Sequence, residues 1–297
     1  MSSDIVDLSR PHRATVRLLA TLGLASFSFM LLFVLSGAWG RIDQVHELVP
    51  AGSPEAQLGA DHPGETVHIA GATAGVVVGA AGLIGLIIHP QRAGSATHAG
   101  AAAIAMMLTT GVVGDPDNHG GQGLLIDPAF LLLALPPLAA AAAAHPWHAW
   151  RQGGIRRPHL LVLAALGLPW VWYGIDQGLM QRNTWPPMAD SHHQAHWYAM
   201  SVLAFLVVLV IAAASLHGRG WRPAATTAGT AAIALAIAAL VEPSSASALS
   251  PVWASLAAAW GTAILVVTWR ATQHIDQSGH PFDGTASEPE APGTTAT

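Results

Sequence analysis

Cysteine is absent from this chain, which excludes disulfides, thiolate metal centres and cysteine nucleophiles. Lysine is absent too, so all 12 basic side chains are arginines and no retinal-type Schiff base can form. Charge of either sign is scarce. Only 10% of the 297 residues are charged, against about 25% in a soluble domain. A P-loop, a GxGxxG turn after a strand and a GxSxG elbow are all missing. Nothing supports nucleic-acid binding.

Apolar residues are abundant, at 52% of the chain, and mean hydropathy is positive. Crossing a bilayer core takes roughly 17–25 apolar residues as helix. Eight runs qualify: 16–38, 68–88, 98–114, 128–145, 159–179, 196–216, 225–241 and 250–269. The third and seventh are short and rich in Ala and Gly, a composition that permits close helix packing. The first run has a basic lead like a signal peptide, but it is long for one and is kept as a span.

Arginine placement sets the orientation. Arg10, Arg13, Arg17, Arg92, Arg151, Arg156, Arg157, Arg219, Arg222 and Arg270 share one face if there are eight spans; only Arg41 and Arg182 fall on the other. Both termini are therefore expected in the cytoplasm of a bacterial cell, with the protein multi-pass in its plasma membrane. Acids such as Glu47, Glu65, Asp115 and Glu242 collect on the opposite face, and Trp39, Trp172, Trp185, Trp197 and Trp253 mark its boundary.

The chain repeats itself in order. RPH at 10–12 recurs at 157–159, WGRIDQ at 39–44 answers WYGIDQ at 172–177, and ADH at 60–62 answers ADSHH at 189–193. His68 and His89 bracket the second run at a spacing of 21, and His196 and His217 bracket the sixth at the same spacing. The expected fold is an all-α polytopic membrane protein: eight transmembrane helices as a tandem 4+4 repeat about a pseudo-twofold axis along the membrane normal. Residues 1–14 read as a cytoplasmic N-terminus, 15–150 and 151–270 as the two four-helix repeats, and 271–297 as a disordered cytoplasmic tail.

The repeated polar residues gather at the acidic face. They are Asp43, Gln44, Asp61, His62 and His68 in the first half, and Asp176, Gln177, Asp190, His192, His193 and His196 in the second. Imidazole and carboxylate without sulfur suit zinc, iron or manganese. His192 and His196, four apart, share a helix face if the helix starts early enough, as do His193 and His196. Asp190 is a ligand or an orienter of a ligand ring; Gln44 and Gln177 are expected to support the ligands from behind. Met180, Met188 and Met200 flank the second-half cluster and would favour copper. The HHxxH spacing is similar to one box of the membrane desaturases and hydroxylases, but their other boxes are missing here.

The expected function is an extracytoplasmic His/Asp metal site between the repeats, serving membrane redox chemistry or metal handling. Haem, held by His68 with His196 or by His89 with His217, is disfavoured because each pair sits at an interface. A 21-residue spacing separates the two levels by about 31 Å. Two alternatives stand beside the metal site. One is a transporter or channel along the repeat interface, which needs a polar path. The other is an accessory subunit, whose partners would be membrane proteins as well as the lipid bilayer. Within the spans, Pro136-Pro137 and Pro169 are expected to interrupt the fourth and fifth.

Overall fold

The computed structural model describes residues 6, 8–48, 65–113, 123–144, 155–183, 191–217, 220–245 and 247–277. Within these, side chains are described except at 30–48, 65–66, 68, 123–130, 181–183, 191–196 and 272–277.

All regular elements among the described residues are helices: α1 (Arg10–Leu48), α2 (Glu65–Ile88), α3 (Ala93–Val113), α4 (Gly123–Ala143), α5 (Pro158–Leu166), α6 (Leu168–Asn183), α7 (Ser191–Ser215), α8 (Trp221–Val241) and α9 (Pro251–Gln277). A helix satisfies its backbone N–H and C=O groups within itself, which an apolar solvent demands. The hydroxyls in these helices are absorbed the same way. Thr15, Thr21, Ser26, Thr97, Thr110, Thr227, Ser255, Thr262 and Thr268 each donate to the carbonyl four residues earlier.

Five helices are long and apolar enough to cross a bilayer: Ile69–Ile88, Ala93–Val113, Trp197–Ser215, Trp221–Val241 and Pro251–Ala271. The pair α5 and α6, bent by 41° at Gly167, counts as a sixth if taken as one span. The chain is thus a multi-pass helical protein suited to a lipid bilayer. The two remaining expected runs, 16–38 and 128–145, fall on α1 and α4, whose apolar stretches extend beyond the described side chains.

The two proline expectations separate. Pro136 and Pro137 do not interrupt the fourth run: α4 is continuous through them. Gly23 of α1 packs there, where a Cβ would lie 3.1 Å from the Pro137 nitrogen. Pro169 does sit at a bend, as the second residue of α6. The residue at the bend is Gly167, where a Cβ would come within 2.9 Å of Trp260. Trp260 of α9 donates its indole N–H to the Leu163 carbonyl (2.8 Å), tying α9 to the break.

Packing places α2, α3, α7 and α8 at the centre. Helix α2 contacts α1, α3, α7 and α8, and α7 contacts α2, α3, α6 and α8, with α5 as well. Helix α4 packs on α1 and α3, and α9 on α8. Accordingly 78% of the apolar window of α7 is buried, against 33% for α9. Small residues make the central contacts close. A Cβ on Gly261 of α9 would sit 2.6 Å from the Gly229 carbonyl of α8, and one on Gly82 of α2 would sit 2.7 Å from the Ala99 nitrogen of α3. Such contacts hold helices together in lipid, where apolar burial alone gives no preference for protein over tails.

Helix ends interlock at one end of the bundle. His12 donates to the Ala143 carbonyl (2.7 Å), Arg17 to that of Ile87 (3.1 Å) and Arg222 to that of Ala271 (3.0 Å). The backbone N–H of Val6 donates to Gln91, and those of Arg156 and Arg157 both donate to Ser215. The Arg157 guanidinium stacks 4.2 Å over the Trp221 ring. Gly220, with φ of 75°, makes the left-handed turn into α8 beside Gly94. The arginines whose side chains are described therefore collect at one end, with the starts of α1 and α3 and the ends of α2 and α9. Glu242 caps α8 at the other end.

Candidate functional site

The end opposite the arginine cluster carries those of the singled-out histidine and aspartate positions that lie on described helices. His192, His193 and His196 lie in the first two turns of α7, which starts at Ser191. The helix thus begins early enough for positions 192 and 196 to be one turn apart on it. His68 lies in the first turn of α2, and Asp43 and Gln44 lie on α1. The side chains of all six are outside the described residues, as are Asp61, His62 and Asp190 altogether.

Two of the named side chains are described. Asp176 is exposed on α6, while Gln177 beside it is only 2% exposed. The Gln177 Oε1 has no hydrogen-bond partner among the described residues. Neither Asp43 nor Asp176 closes its helix, because α1 continues to Leu48 and α6 to Asn183. The dipole penalty expected of an acid at a helix C-terminus falls off within the last turn, so it bears little on either. Among the described residues no group of three His, Asp or Glu side chains is placed to hold a metal ion.

Helices α2 and α7 run side by side in the same direction, both ending at the arginine end. Gly71 packs directly on the Met200 thioether, and a Cβ on Gly75 would lie 3.7 Å from that of Leu203. Without a side chain at 71 or 75, α2 gives up its own width to Met200 and Leu203. His68 stands three residues before Gly71, and His196 four before Met200.

At the level of Met200, a buried hydroxyl cluster joins α3 to α7. Thr110 donates to the Met106 carbonyl and lies 2.9 Å from the Tyr198 hydroxyl, so the Tyr198 proton is directed at Thr110 and the Met106 carbonyl. Thr109 and Ser201 share a hydrogen bond of 3.2 Å. Gly178 of α6 closes one side, since a Cβ there would meet Val112 and, at 3.4 Å, the Ser201 hydroxyl. Tyr173, on the same helix, donates to the Ser247 carbonyl (2.7 Å).

A second polar cluster lies at the arginine end of the same seam. Thr97 sends its proton to the Ala93 carbonyl, so its oxygen accepts from His217 Nε2–H at 2.8 Å. That bond fixes the proton of His217 on Nε2. His98 bonds the Val78 backbone across the gap left by Gly82. The ring is 3% exposed, and its Nε2 has no partner among the described residues. His89, by contrast, is exposed beside Arg13, Arg17 and Arg92. His89 and His217, the inner pair of the disfavoured haem reading, thus have different neighbours.

Between the two clusters the seam is apolar. Thr97 and Thr109 are twelve residues apart on α3, about 18 Å, and the buried residues between them include Ala101, Ala102, Ala105 and Met106. At the same level on α7, Leu203, Ala204, Phe205, Leu206 and Val210 are all buried. Neither cluster was legible beforehand. Each joins residues about 90 to 120 positions apart, and no local pattern marks a lone threonine as one that will meet a tyrosine.

No family model matches the chain, and neither a curated protein nor a solved structure is detectably similar to it.

Proposed function

We propose that this protein is a two-repeat membrane protein with a His/Asp metal site on its extracytoplasmic face, where the repeats meet. The site would serve membrane redox chemistry or metal handling. The carrying observation is the parallel packing of α2 on α7. The contacts 71–200 and 75–203, continued one turn outward, pair position 68 with position 196. His192 and His193 lie one further turn along α7, with Asp190 just before it. Asp61 and His62 precede α2 in the chain, and Asp43 and Asp176 belong to the neighbouring spans.

The pattern of neighbours supports the repeat. Exchange α1 with the bent pair α5–α6, α2 with α7, α3 with α8, and α4 with α9. The pairs α1·α2, α2·α3, α3·α4 and α2·α8 then map onto contacting pairs, and α2·α7 maps onto itself. The departures fall on the bent span: α6 packs on α3 without a counterpart, and α5 touches α9 far less than α1 touches α4. By the positive-inside rule the arginine end, with both termini, faces the cytoplasm.

Zinc, iron or copper suits the residue set. A metal ion fits the packing better than haem, because Met200 already fills the space between α2 and α7 one turn inside position 196. A transport path along the seam has less support, since buried apolar residues separate its two polar clusters. Elemental analysis with an optical spectrum of the detergent-purified protein tests the proposal. Stoichiometric metal in the wild type, lost in His192→Ala/His196→Ala, is expected. No metal in the wild type, or the same metal in the variant, ends it.

A further inference from the structure

The arginine end holds a feature that the metal reading leaves unused. Arg10, Arg13 and Arg17 are spaced i, i+3 and i+7 on α1 and so share a face. The turn from α2 to α3 brings Arg92 and His89 opposite them. Two adjoining hollows result. One, of about 350 Å³, lies between Arg13, Arg17, His89, Gln91 and Arg92; the other, of about 330 Å³, lies between Arg10, Arg13, Ala14 and Arg17.

Four guanidinium groups thus line one groove, and no carboxylate is among its described lining residues. Arg17 is anchored through Nε to the Ile87 carbonyl, which leaves its terminal nitrogens for another acceptor. Arg10, Arg13 and Arg92 make no side-chain hydrogen bond or ion pair among the described residues. Planar guanidinium forks match phosphate oxygens in pairs.

The groove also opens onto an apolar wall. It lies where the span Ile69–Ile88 ends, at the level of lipid headgroups. Beside it, Leu18 and Leu22 on α1 and Ile84 and Ile88 on α2 are exposed, at 61%, 48%, 44% and 57%. Each pair is one turn apart and leads from the groove toward the membrane interior. A soluble anion would use only the cationic half of this surface.

We infer that this groove is a binding site for an anionic glycerophospholipid. Its phosphate sits among Arg13, Arg17 and Arg92, and its acyl chains lie along Leu18, Leu22, Ile84 and Ile88. The inference is independent of the metal site, which is at the other end of the bundle.

Native mass spectrometry of the delipidated full chain in detergent tests it. The probes are phosphatidylglycerol, phosphatidylcholine of the same chains, and inorganic phosphate. The wild type is expected to bind phosphatidylglycerol about thirtyfold more tightly than phosphatidylcholine, the scale set by two arginines at a membrane surface. That preference should be lost in Arg13→Gln/Arg92→Gln, and reduced in Arg92→Gln alone. It should survive in Arg270→Gln, which removes an exposed arginine at the same end but outside the groove. Equal binding of the two lipids by the wild type overturns the site. So does an equal loss in Arg270→Gln, which would mean diffuse surface attraction. Inorganic phosphate competing as well as the lipid would mean a soluble-anion site and overturns the lipid assignment.

Discussion

At the scale of single residues, glycine decides how close the helices come. A side chain on Gly261 would meet the backbone of α8, while one on Gly111 would meet nothing within 4 Å among the described residues. The same substitution should therefore have opposite effects at the two positions. Gly261→Ala is expected to destabilise by about 1–3 kcal/mol, the usual cost of overpacking. Gly111→Ala should be neutral or stabilise by up to about 1 kcal/mol through helix propensity. Thermal unfolding in detergent reads both, and equal effects would show that α8 and α9 do not cross tightly. The sequence marks both residues as glycines in apolar helices. Which one carries a contact depends on a partner helix that the local sequence does not name.

At the scale of elements, the informative pair is α2 and α7. Their tops are joined through Gly71 on Met200, and the register extends outward to positions 68 and 196. The cysteine-free background makes that register directly testable. His68→Cys/His196→Cys is expected to form an intramolecular disulfide under mild oxidation, since facing positions on such close helices reach the roughly 4.4–6.8 Å Cα separation a disulfide requires. Peptide mass mapping without reductant detects it. If both cysteines react with a small maleimide yet do not cross-link, the register is wrong, whatever the metal analysis finds. The equal 21-residue spacings of His68–His89 and His196–His217 marked these two helices as counterparts in the proposed repeat. Their direct contact was not legible, because a spacing within a helix says nothing about which helix lies beside it. The bend at Gly167 lies between these cases. Pro169 flagged it, yet Pro136-Pro137 raised the same flag where α4 runs straight through.

At the scale of the whole molecule, arginine asymmetry becomes a statement about orientation. Ser9 and Ser250 are both exposed, at the starts of α1 and α9, and these starts lie at opposite ends of the bundle. In right-side-out membrane vesicles, a membrane-impermeant maleimide should label Ser250→Cys. It should label Ser9→Cys only after the vesicles are opened. The reverse pattern would overturn the cytoplasmic assignment of the arginine end. The proposed count of eight spans rests on the same asymmetry, because an odd number of crossings between successive arginine clusters would put them on opposite faces.

The sequence by itself determined the class of molecule. Apolar runs of bilayer length, with little charge inside them, have to become helices that satisfy their own backbone in lipid. It also determined the segregation of arginine, which is a property of residue order alone. Only the tertiary structure decided that α2, α3, α7 and α8 form the centre, and that hydroxyl pairs such as Thr110 with Tyr198 bridge it. It also decided that Arg13, Arg17 and Arg92 line one groove. These outcomes depend on which helix faces which. In a membrane that choice is made by the fit of small residues and by single hydrogen bonds. Their contributions come from contacts between distant segments, and a pattern of hydropathy along one helix does not record them.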